Sequence, residues 1–400
     1  MKIYIECHGC SRRRAEVAKF HEYFRINGYA IVKKPETADY ILVSTCAFKK
    51  EEEDYSYERI SSLKTYDAKL LVYGCLPEIA PTRFKALAPV HWVSPKNIDA
   101  LDDFFENITV KMSEIQDANI IPAKITHTAL PSAFEKFAKD FTFSKDFMSR
   151  SARYAKDKLL ESMTAENKYY LFVSRGCLGK CSYCAIKHSV GPLKSKPVDV
   201  ILAEYDKGEK DGYRDIIILG DDVGAYGLDN NSDFPGLLSV LLEKANDTID
   251  FHIEEIHPKW MVLYKDRLLE LISSGKIKSI LCPIQSGNDR VLKSMCREHD
   301  AAAIYDVFTR VRAMQPGLRL TTQIIAGFPS ETNEEFEDTL RFLGKVRVDA
   351  VTIFAYDEKE NIAANNITPK VPDAVIRQRV KEAQHYLKKQ NIETFLSCPK

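Results

Sequence analysis

The stretch CLGKCSYC, from Cys177 to Cys184, places three cysteines within eight residues. It comes shortly after the apolar run YYLFV (169–173), which predicts a buried β-strand. Thiolates this close together select zinc or an iron–sulfur cluster. Three of them leave one corner of a cubane [4Fe–4S] cluster without a protein ligand, and an open position is what a catalytic metal needs. A zinc site completed by His188 or Cys282 is the alternative interpretation.

Strand signals continue after this motif, separated by helical periods. The strand-like segments are YYLFVSRGC, DIIILG, IDFHIEEI, SILCPIQ, LRLTTQIIAGFP and DAVTIFAY. The helical periods cover 198–211, 236–246, 260–273, 300–314 and 333–346. Six β/α units in series predict a partial (β/α)6 barrel, with its chemistry at the carboxyl ends of the strands.

The first hundred residues predict a second α/β domain. The segments KIYIEC, ADYILVSTC and KLLVYGC alternate with helical periods at 15–27 and 51–64, and this βαβαβ order indicates a parallel sheet. Each strand ends in or just before a cysteine; these are Cys7 with Cys10, then Cys46, then Cys75. Because open parallel sheets bind ligands beyond the carboxyl ends of their strands, we expect these cysteines to converge on one crevice.

The whole chain is therefore expected to be an α/β protein with four segments. They are an N-terminal parallel-sheet domain (1–105), a mostly helical linker (106–165), the partial barrel (166–370), and a C-terminal helix and tail (371–400).

Composition narrows the class of protein. The chain has 57 basic and 57 acidic residues, so it lacks the basic surplus of a dedicated nucleic-acid binder. No apolar stretch approaches the roughly 18 residues of a membrane span, and the N-terminus has no signal-peptide pattern. We therefore expect a cytoplasmic protein with no membrane partner. Ten cysteines in a reducing compartment indicate metal or redox chemistry.

The spacing of Cys177, Cys181 and Cys184, with Tyr183 before the last cysteine, resembles the signature of the radical S-adenosylmethionine (SAM) enzymes. The resemblance implies a [4Fe–4S] cluster held by these three cysteines, with SAM as the second cofactor. It also implies reductive cleavage of SAM to methionine and a 5′-deoxyadenosyl radical, which abstracts hydrogen from an unactivated carbon.

Cys10, Cys46 and Cys75 form a second trio. Any one of them alone is most simply a small buried hydrophobe. With the barrel, however, they resemble the methylthiotransferase family, which modifies tRNA adenosines or a ribosomal-protein aspartate. The segments that carry the resemblance, from residue 1 to about 385, are HGCSRRRAE, ADYILVSTCAF, LVYGCLPE, SRGCLGKCSYCAIKHSVGPLKSKP, ILGDDVGAYG, HPKWM, PIQSGNDRVLKSMCR and IIAGFPSET.

The family resemblance implies that this second trio holds an auxiliary [4Fe–4S] cluster. Its open iron would carry the sulfur to be transferred and would face the SAM cluster, so all six cysteines count as catalytic. Cys7 competes with Cys10 for the first ligand position. Cys10 follows a glycine in the expected loop and is preferred.

The resemblance also implies contacts to SAM. Tyr183 would lie near the adenine, Gly220 would leave room for the methionine moiety, and Gln285 and Ser286 would meet the ribose. Arg297 would pair with the SAM carboxylate. A hydrogen bond inside the barrel is the alternative for Gln285, and a surface charge is the alternative for Arg297.

Some positions depart from the family pattern. The run Arg12-Arg13-Arg14 replaces the Asn and Asp-Ser that usually follow the first cysteine in the family, and is either a solvated helix start or a surface facing an acidic substrate. Asp221, Asp222 and Gln323 replace other polar residues at the predicted barrel mouth, where we expect substrate contacts. The TRAM domain, a small β-barrel that ends the family's tRNA and ribosomal-protein enzymes, is expected to be missing.

These observations favour a methylthiotransferase that uses two SAM molecules per turnover and acts on a peptide or protein side chain. It would need an electron donor such as flavodoxin or ferredoxin, and a sulfur donor. The alternatives are a tRNA adenosine methylthiotransferase, a two-cluster peptide-modifying enzyme without sulfur transfer, and a non-catalytic iron–sulfur or zinc-binding protein.

Overall fold

The computed structural model describes residues 1–121 and 168–397. The chain divides into two compact units, Met1–Lys168 and Tyr169–Lys400. From residue 122 onward the predicted linker lies outside the described residues, so its helical character stays a prediction.

The first unit contains a five-stranded parallel sheet. Its strands are β1 (Lys2–Cys7), β2 (Ala30–Val32), β3 (Tyr40–Thr45), β4 (Lys69–Gly74) and β5 (His91–Val93). They lie in the order β2-β1-β3-β4-β5, with every neighbouring pair parallel. The predicted βαβαβ core is present, and the sequence analysis missed the two edge strands because each has only three residues.

Helices cover this sheet. The α-helices are Ser11–Ile26, Lys50–Leu63, Leu76–Ile79, Pro81–Lys85 and Leu101–Phe104, and the 3₁₀ helices are Pro35–Thr37, Pro95–Ala100 and Met112–Glu114. Aromatic side chains fill the space between the first helix and the sheet. Phe20 meets Tyr73 edge-on at 4.7 Å between ring centroids, and Phe24 meets Phe105 at the same distance. These edge-to-face contacts hold the first helix on the sheet.

The second unit contains a seven-stranded sheet. Its strands and those of a small antiparallel ribbon are β6 (Lys168–Phe172), β7 (Ser174–Arg175), β8 (Lys194–Ser195), β9 (Asp215–Leu219), β10 (Asp250–Ile253), β11 (Ile277–Leu281), β12 (Arg319–Ala326), β13 (Ala350–Ala355) and β14 (Glu393–Ser397). The sheet runs β14-β13-β12-β11-β10-β9-β6, and β7 pairs with β8. The α/β fold predicted from the sequence is confirmed, with seven strands here rather than the predicted six.

Helices connect consecutive strands of this sheet. The α-helices are Lys187–Val190, Val198–Lys210, Phe234–Lys244, Pro258–Leu263, Lys265–Ile272, Asp289–Ser294, Ala301–Met314, Asn333–Val346 and Asp373–Lys389, and the 3₁₀ helices are Val223–Ala225 and Ala363–Asn366. The predicted helix 260–273 is two helices, divided at Tyr264. Among the helices that the structure describes, none combines the length and the apolar character needed to cross a bilayer.

The additional strand, β14, comes from the segment expected to be a helix and a short end. It pairs in parallel with β13, from Ala350 opposite Glu393 to Phe354 opposite Ser397. The segment after Lys389 is short and mixed in polarity, so its sequence carries no clear strand period. Hydrogen bonds to β13 stabilise β14 as a strand, although the sequence of this segment alone does not predict one.

A buried ion pair joins the helix Asp373–Lys389 to the loop after β12. Arg379 Nη1 lies 2.9 Å from Glu331 Oε2, and the Gly327 amide donates to the same oxygen at 2.8 Å. Burial raises the pKa of Glu331 to about 7, although Arg379 and the amide act in the opposite direction. The Glu331 carboxyl therefore depends on Arg379 to stay ionised at neutral pH.

Replacing Arg379 with methionine is expected to lower the free energy of unfolding by about 3 kcal/mol, because it strands a buried acid. This loss of stability lies at the lower end of the range for broken buried ion pairs, because Glu331 can bind a proton when Arg379 is absent. Urea unfolding followed by circular dichroism measures the change. Arg377→Met is the matched control, because Arg377 is exposed on the same helix and should change stability by less than about 0.5 kcal/mol. Equal effects of the two variants would contradict this account of the pair.

Candidate active site

The cysteine motif forms a loop that begins after β7 and is closed by the antiparallel pairing of β7 with β8. Gly176 has a left-handed φ of +80°, and a Cβ there would lie 2.0 Å from the Pro192 carbonyl oxygen. The position therefore requires glycine. The Gly176 amide donates to Asp221 Oδ2 at 2.7 Å, and the Cys177 amide donates to the Gly191 carbonyl at 3.3 Å. These contacts hold the backbone on either side of the first thiol.

The structure brings the three predicted thiols of this loop together. Burial, then the charge of Asp222, raises the pKa of Cys177 to about 12, and the charges of Cys184 and Cys181 act in the same direction. Burial, then Cys181, also raises the pKa of Cys184. Thiols that perturb one another in this way share one site. The Gly179 amide donates to Cys177 Sγ at 3.2 Å, the kind of bond that stabilises a ligating thiolate.

This donor set fits an iron–sulfur cluster, because the thiolates of a cubane bind three different irons. A Cβ on Gly179 would lie 3.1 Å from Cys177 Sγ and 3.8 Å from Cys181 Sγ, so glycine keeps the space beside these sulfurs open.

Arg297 lies beside this thiol site and is buried. Its Nη1 donates to Tyr183 Oη at 3.2 Å and to Cys181 Sγ at 3.5 Å, and its Nη2 donates to the Pro283 carbonyl oxygen. The preceding residue, Cys296, has a left-handed φ of +55°. The surface-charge alternative for Arg297 is therefore wrong. Its Nε is buried with no hydrogen-bond partner in the described part of the chain, which suits an anionic ligand.

Tyr183 is held by this guanidinium. Burial raises the pKa of its phenol well above the ordinary range, while the Arg297 charge acts in the opposite direction. The phenol therefore stays protonated beside Cys181. Its predicted position near an adenine stays a prediction.

Gln285 occupies a strained position next to β12. Its φ of +68° is unusual for a residue other than glycine, and its backbone bonds to Gln323 O at 2.8 Å and to the Ile325 amide at 3.0 Å keep it there. Its Oε1 is buried without a hydrogen-bond partner among residues 1–121 and 168–397. An orphaned acceptor of this kind fits a ligand hydroxyl, so the predicted contact to ribose is retained as a prediction.

Ser286 and Gly220 have closer internal neighbours. Ser286 Oγ lies 3.1 Å from Thr339 Oγ1 and accepts from the Asn288 amide at 3.2 Å. The hydroxyl thus has a structural role in addition to the ribose contact predicted for it. Gly220 directly follows β9, and a Cβ there would come within 3.0 Å of Ser174 Oγ. The room that Gly220 leaves for a ligand also stays a prediction.

The sequence analysis did not identify the structural role of Asp222, a buried carboxylate near this site. Asp222 Oδ2 accepts from the Trp260 indole at 2.7 Å, and its Oδ1 accepts from the His257 amide at 3.2 Å. Burial raises the pKa of Asp222. Both carboxylate oxygens therefore have internal donors, so Asp222 has a structural role, and the substrate contact expected for it stays a prediction. The adjacent acids Asp221 and Asp222 after β9 can be seen in the sequence. The bond between Asp222 and Trp260 could not be predicted, because the two residues are 38 positions apart.

Two half-buried histidines lie beside this network. Burial lowers the pKa of His257 far below its usual value, and burial followed by the Arg297 charge lowers the pKa of His299 to about 3. Their rings meet edge-on at 5.8 Å between centroids. Both are neutral at physiological pH, so the positive charges beside these thiols come from Arg297, which donates to Cys181 Sγ, and from Lys187, which donates to the Cys181 carbonyl at 3.3 Å.

The second trio lies at the carboxyl end of the N-terminal sheet. Cys46 follows β3, Cys75 follows β4, and Cys10 begins the helix after β1. Burial, then Glu52, raises the pKa of Cys46, and the charges of Cys75 and Cys10 add to the shift. The structure therefore brings these three thiols to one place. Cys7 instead belongs to the apolar core between the sheet and its helices.

Most of the basic run after Cys10 points inward. Arg13 and Arg14 are buried, with 3% and 2% of their surfaces exposed. Arg13 Nη1 lies 2.9 Å from Glu16 Oε2, and Glu16 also accepts from the Tyr73 hydroxyl at 2.6 Å. The solvated-helix interpretation of the run is therefore wrong for these two arginines.

In comparisons with known proteins, the two cysteine trios fall within two different family matches. Residues 171–343 match the Radical SAM superfamily, and residues 2–94 match the Uncharacterized protein family UPF0004. A probable threonylcarbamoyladenosine tRNA methylthiotransferase of Methanocaldococcus jannaschii is 26% identical over 391 residues, covering 98% of this chain and 83% of the relative. The ribosomal protein uS12 methylthiotransferase RimO of Chlamydia caviae is 29% identical over 406 residues, covering 98% and 79%.

Solved structures extend the comparison to the fold. The radical S-adenosylmethionine methyltransferase TsrM from Kitasatospora setae, solved with cobalamin and a [4Fe-4S] cluster, has a TM-score of 0.61 and 9% identity, and the match covers 91% of this chain and 76% of TsrM. The cobalamin-dependent S-adenosylmethionine radical enzyme OxsB has a TM-score of 0.56 and 13% identity, covering 97% and 56%. At these identities the likeness concerns the fold alone.

Proposed function

Since this chain belongs to the radical SAM methylthiotransferase family, we propose that it inserts a methylthio group at an unactivated C–H bond of a protein or peptide side chain. The observation that carries the proposal is that each unit gathers its own three thiols at the carboxyl side of its sheet. One trio suffices to bind a SAM cluster. The second trio supports a separate cluster, whose role would be to handle sulfur.

The chain's own residues bind and orient these cofactors. Bound SAM and its cluster supply radical chemistry at a carbon that no side-chain base can deprotonate. Asp221 holds the backbone before Cys177, and Arg297 holds Tyr183 beside Cys181. The orphaned Arg297 Nε supports the pairing of this guanidinium with the SAM carboxylate.

Replacing Arg297 with methionine should weaken SAM binding by about 10- to 100-fold, the scale of a lost charge-assisted hydrogen bond. Equilibrium dialysis of SAM against the anaerobically reconstituted protein measures this. Arg290→Met is the control, because Arg290 is a half-exposed arginine on the preceding helix and pairs with Glu335. Unchanged SAM affinity in Arg297→Met, with full iron content, would reject the pairing.

Charge near the thiol sites supports a protein acceptor over a nucleic acid. The chain has no net positive charge. Arg13 and Arg14 are buried, and Lys196 is paired with Glu204 at 2.8 Å. These basic side chains are therefore poorly placed to contact phosphates, and nucleic-acid affinity depends mainly on such contacts.

The acceptor can be tested with fractionated cell extract. The reconstituted protein is incubated with SAM, a reductant, sulfide, and either the protein or the tRNA fraction, and both are searched for a methylthio adduct by mass spectrometry. We expect the adduct in the protein fraction, and tRNA binding of roughly micromolar affinity or weaker at physiological salt. A methylthio-adenosine in the tRNA fraction would contradict the proposed acceptor and favour tRNA.

A further inference from the structure

The auxiliary thiols lie beyond the hydrogen-bonded part of the N-terminal sheet. The parallel pairing of β1 with β3 ends at Cys7, and the pairing of β3 with β4 ends at Thr45. Cys10 lies three residues beyond Cys7. Cys46 and Cys75 are the residues that directly follow β3 and β4. The strand pairing alone therefore leaves the relative positions of the three thiols open, and a cluster site must be held by side chains that are themselves fixed.

Ser56 holds the backbone of Cys46. It lies in the helix Lys50–Leu63, which follows Cys46 in the chain, and it is fully buried. Its hydroxyl donates to the Cys46 carbonyl at 2.8 Å and accepts from the Cys46 amide at 3.2 Å. Because one side chain binds both backbone polar groups of Cys46, the loop cannot rotate at this residue without breaking both hydrogen bonds.

Arg59 acts from the same helix on the segment that leads to Cys10. Its Nε and Nη2 bind the two carboxylate oxygens of Glu6 at 2.7 and 2.9 Å, which is a bidentate pair. Glu6 Oε1 in turn lies 2.5 Å from His8 Nε2. The His8 amide also donates to the Ser44 carbonyl at 3.0 Å. Both the side chain and the backbone of His8 are therefore held, two residues before the first ligand.

The two anchoring residues lie on one face of the helix. Ser56 and Arg59 are three positions apart, so their side chains are neighbours on its surface. Tyr55, four positions before Arg59, meets the His8 ring edge-on at 4.8 Å between centroids. One helix thus contacts the segments that carry two different cluster ligands, one after β1 and one after β3.

We propose that Ser56 and Arg59 are positioning residues of the auxiliary cluster. Ser56 determines the position of Cys46, and Arg59, through the carboxylate that it binds, determines the position of the segment before Cys10. Neither residue binds iron. This inference rests on the proposed function, which supplies the cluster. Groups that orient the ligands of a metal site typically contribute roughly 10- to 100-fold to its metal affinity, so losing either anchor should weaken the hold on iron.

The test uses the full chain with Cys177, Cys181 and Cys184 replaced by alanine, so that only the auxiliary cluster assembles. The reconstituted parent and its variants are titrated anaerobically with an iron chelator. Ser56→Ala should release half of its iron at a chelator concentration roughly 10- to 100-fold lower than the parent. Ser56→Thr keeps the hydroxyl and should stay within about threefold of the parent. Ser61→Ala is the matched control, because Ser61 is exposed on the same helix.

A second variant tests the other anchor. Arg59→Lys keeps a positive charge beside the buried Glu6 but loses the fork that fixes the carboxylate. We expect it to release iron at a lower chelator concentration than the parent, by roughly threefold or more. Arg83→Lys is its control, because Arg83 pairs with Glu53 of the same helix at 2.8 Å and not with a segment that carries a ligand.

The electron paramagnetic resonance spectrum of the reduced auxiliary cluster separates positioning from general stability. Its g values depend on how the ligands are placed around the irons, so Ser56→Ala should change them and Ser56→Thr should restore them. Urea unfolding of the iron-free proteins measures the effect on the fold alone. Unchanged g values and unchanged iron retention in Ser56→Ala and Arg59→Lys would overturn the proposal, even if the iron-free variants are less stable.

The outcomes separate the two levels of the argument. A parent that binds no auxiliary iron would overturn the proposed function, and the positioning role with it. A parent that binds this iron, with both variants equal to it, would overturn the positioning role and leave the proposed function standing. If Ser56→Ala does not fold, Arg59→Lys provides the same test.

Discussion

Replacing Cys177, Cys181 and Cys184 together with alanine is expected to abolish SAM cleavage completely. The iron content of the anaerobically reconstituted protein should fall from about eight to about four atoms per chain, because one of two cubane clusters is lost. In addition to burial, the charges of Cys184 and Cys181 raise the pKa of Cys177, and the charge of Cys181 raises the pKa of Cys184, so the thiols lie in one site. Within the described part of the second unit, the other cysteines are Cys282 and Cys296, so no second set of three is present there.

Iron analysis and liquid chromatography of 5′-deoxyadenosine measure this result. Cys296→Ser is the control, because Cys296 is exposed and lies outside both trios. It should retain both iron clusters and SAM cleavage. Zinc instead of iron in the wild-type protein, or continued SAM cleavage in the triple variant, would contradict the assignment of this site.

Replacing Cys10, Cys46 and Cys75 together with alanine is expected to separate SAM cleavage from sulfur transfer. Production of 5′-deoxyadenosine should continue largely unchanged, because the SAM cluster is held by thiols of the second unit. The methylthio product should be lost entirely, because no cluster remains to carry sulfur. Mass spectrometry of the acceptor, in parallel with the 5′-deoxyadenosine assay, measures both.

Cys7→Ala is the matched variant for this experiment. Cys7 is buried in the apolar core of the first sheet, so its replacement should lower stability modestly and leave the auxiliary iron in place. Loss of that iron in Cys7→Ala would show that Cys7, and not Cys10, is the first ligand. A methylthio product that persists in the triple variant would show that the auxiliary cluster does not carry sulfur, and would favour a two-cluster enzyme without sulfur transfer.

Much of the fold followed from local sequence patterns. The helical periods at 198–211, 300–314 and 333–346 agree with observed helices to within one residue at each end. These segments have a regular apolar period over three or more turns, which is a strong signal. The strands β2, β5 and β14 were missed because they are three to five residues long and lie at or near sheet edges. Such short strands form because they hydrogen-bond to the adjacent strand of the sheet.

Side-chain partners were much harder to predict. Arg12, Arg13 and Arg14 read as one basic run, yet two of them are buried. Asp222 read as a substrate contact, yet both of its oxygens accept internal hydrogen bonds. In each case a charged residue was interpreted by its type, whereas its environment depends on which elements cover it.

The sequence by itself determined where the two thiol trios would lie. One trio is local, within eight residues, and the members of the other follow strands that a parallel βαβαβ order must align at one edge. Only the tertiary structure decided which groups surround those thiols. Arg297 reaches Cys181 across 116 positions of the chain, and Glu52 points at Cys46 because Ser56 fixes their helix against the loop. The physical reason is that burial excludes water, so each polar group must take whatever partner the fold brings within reach.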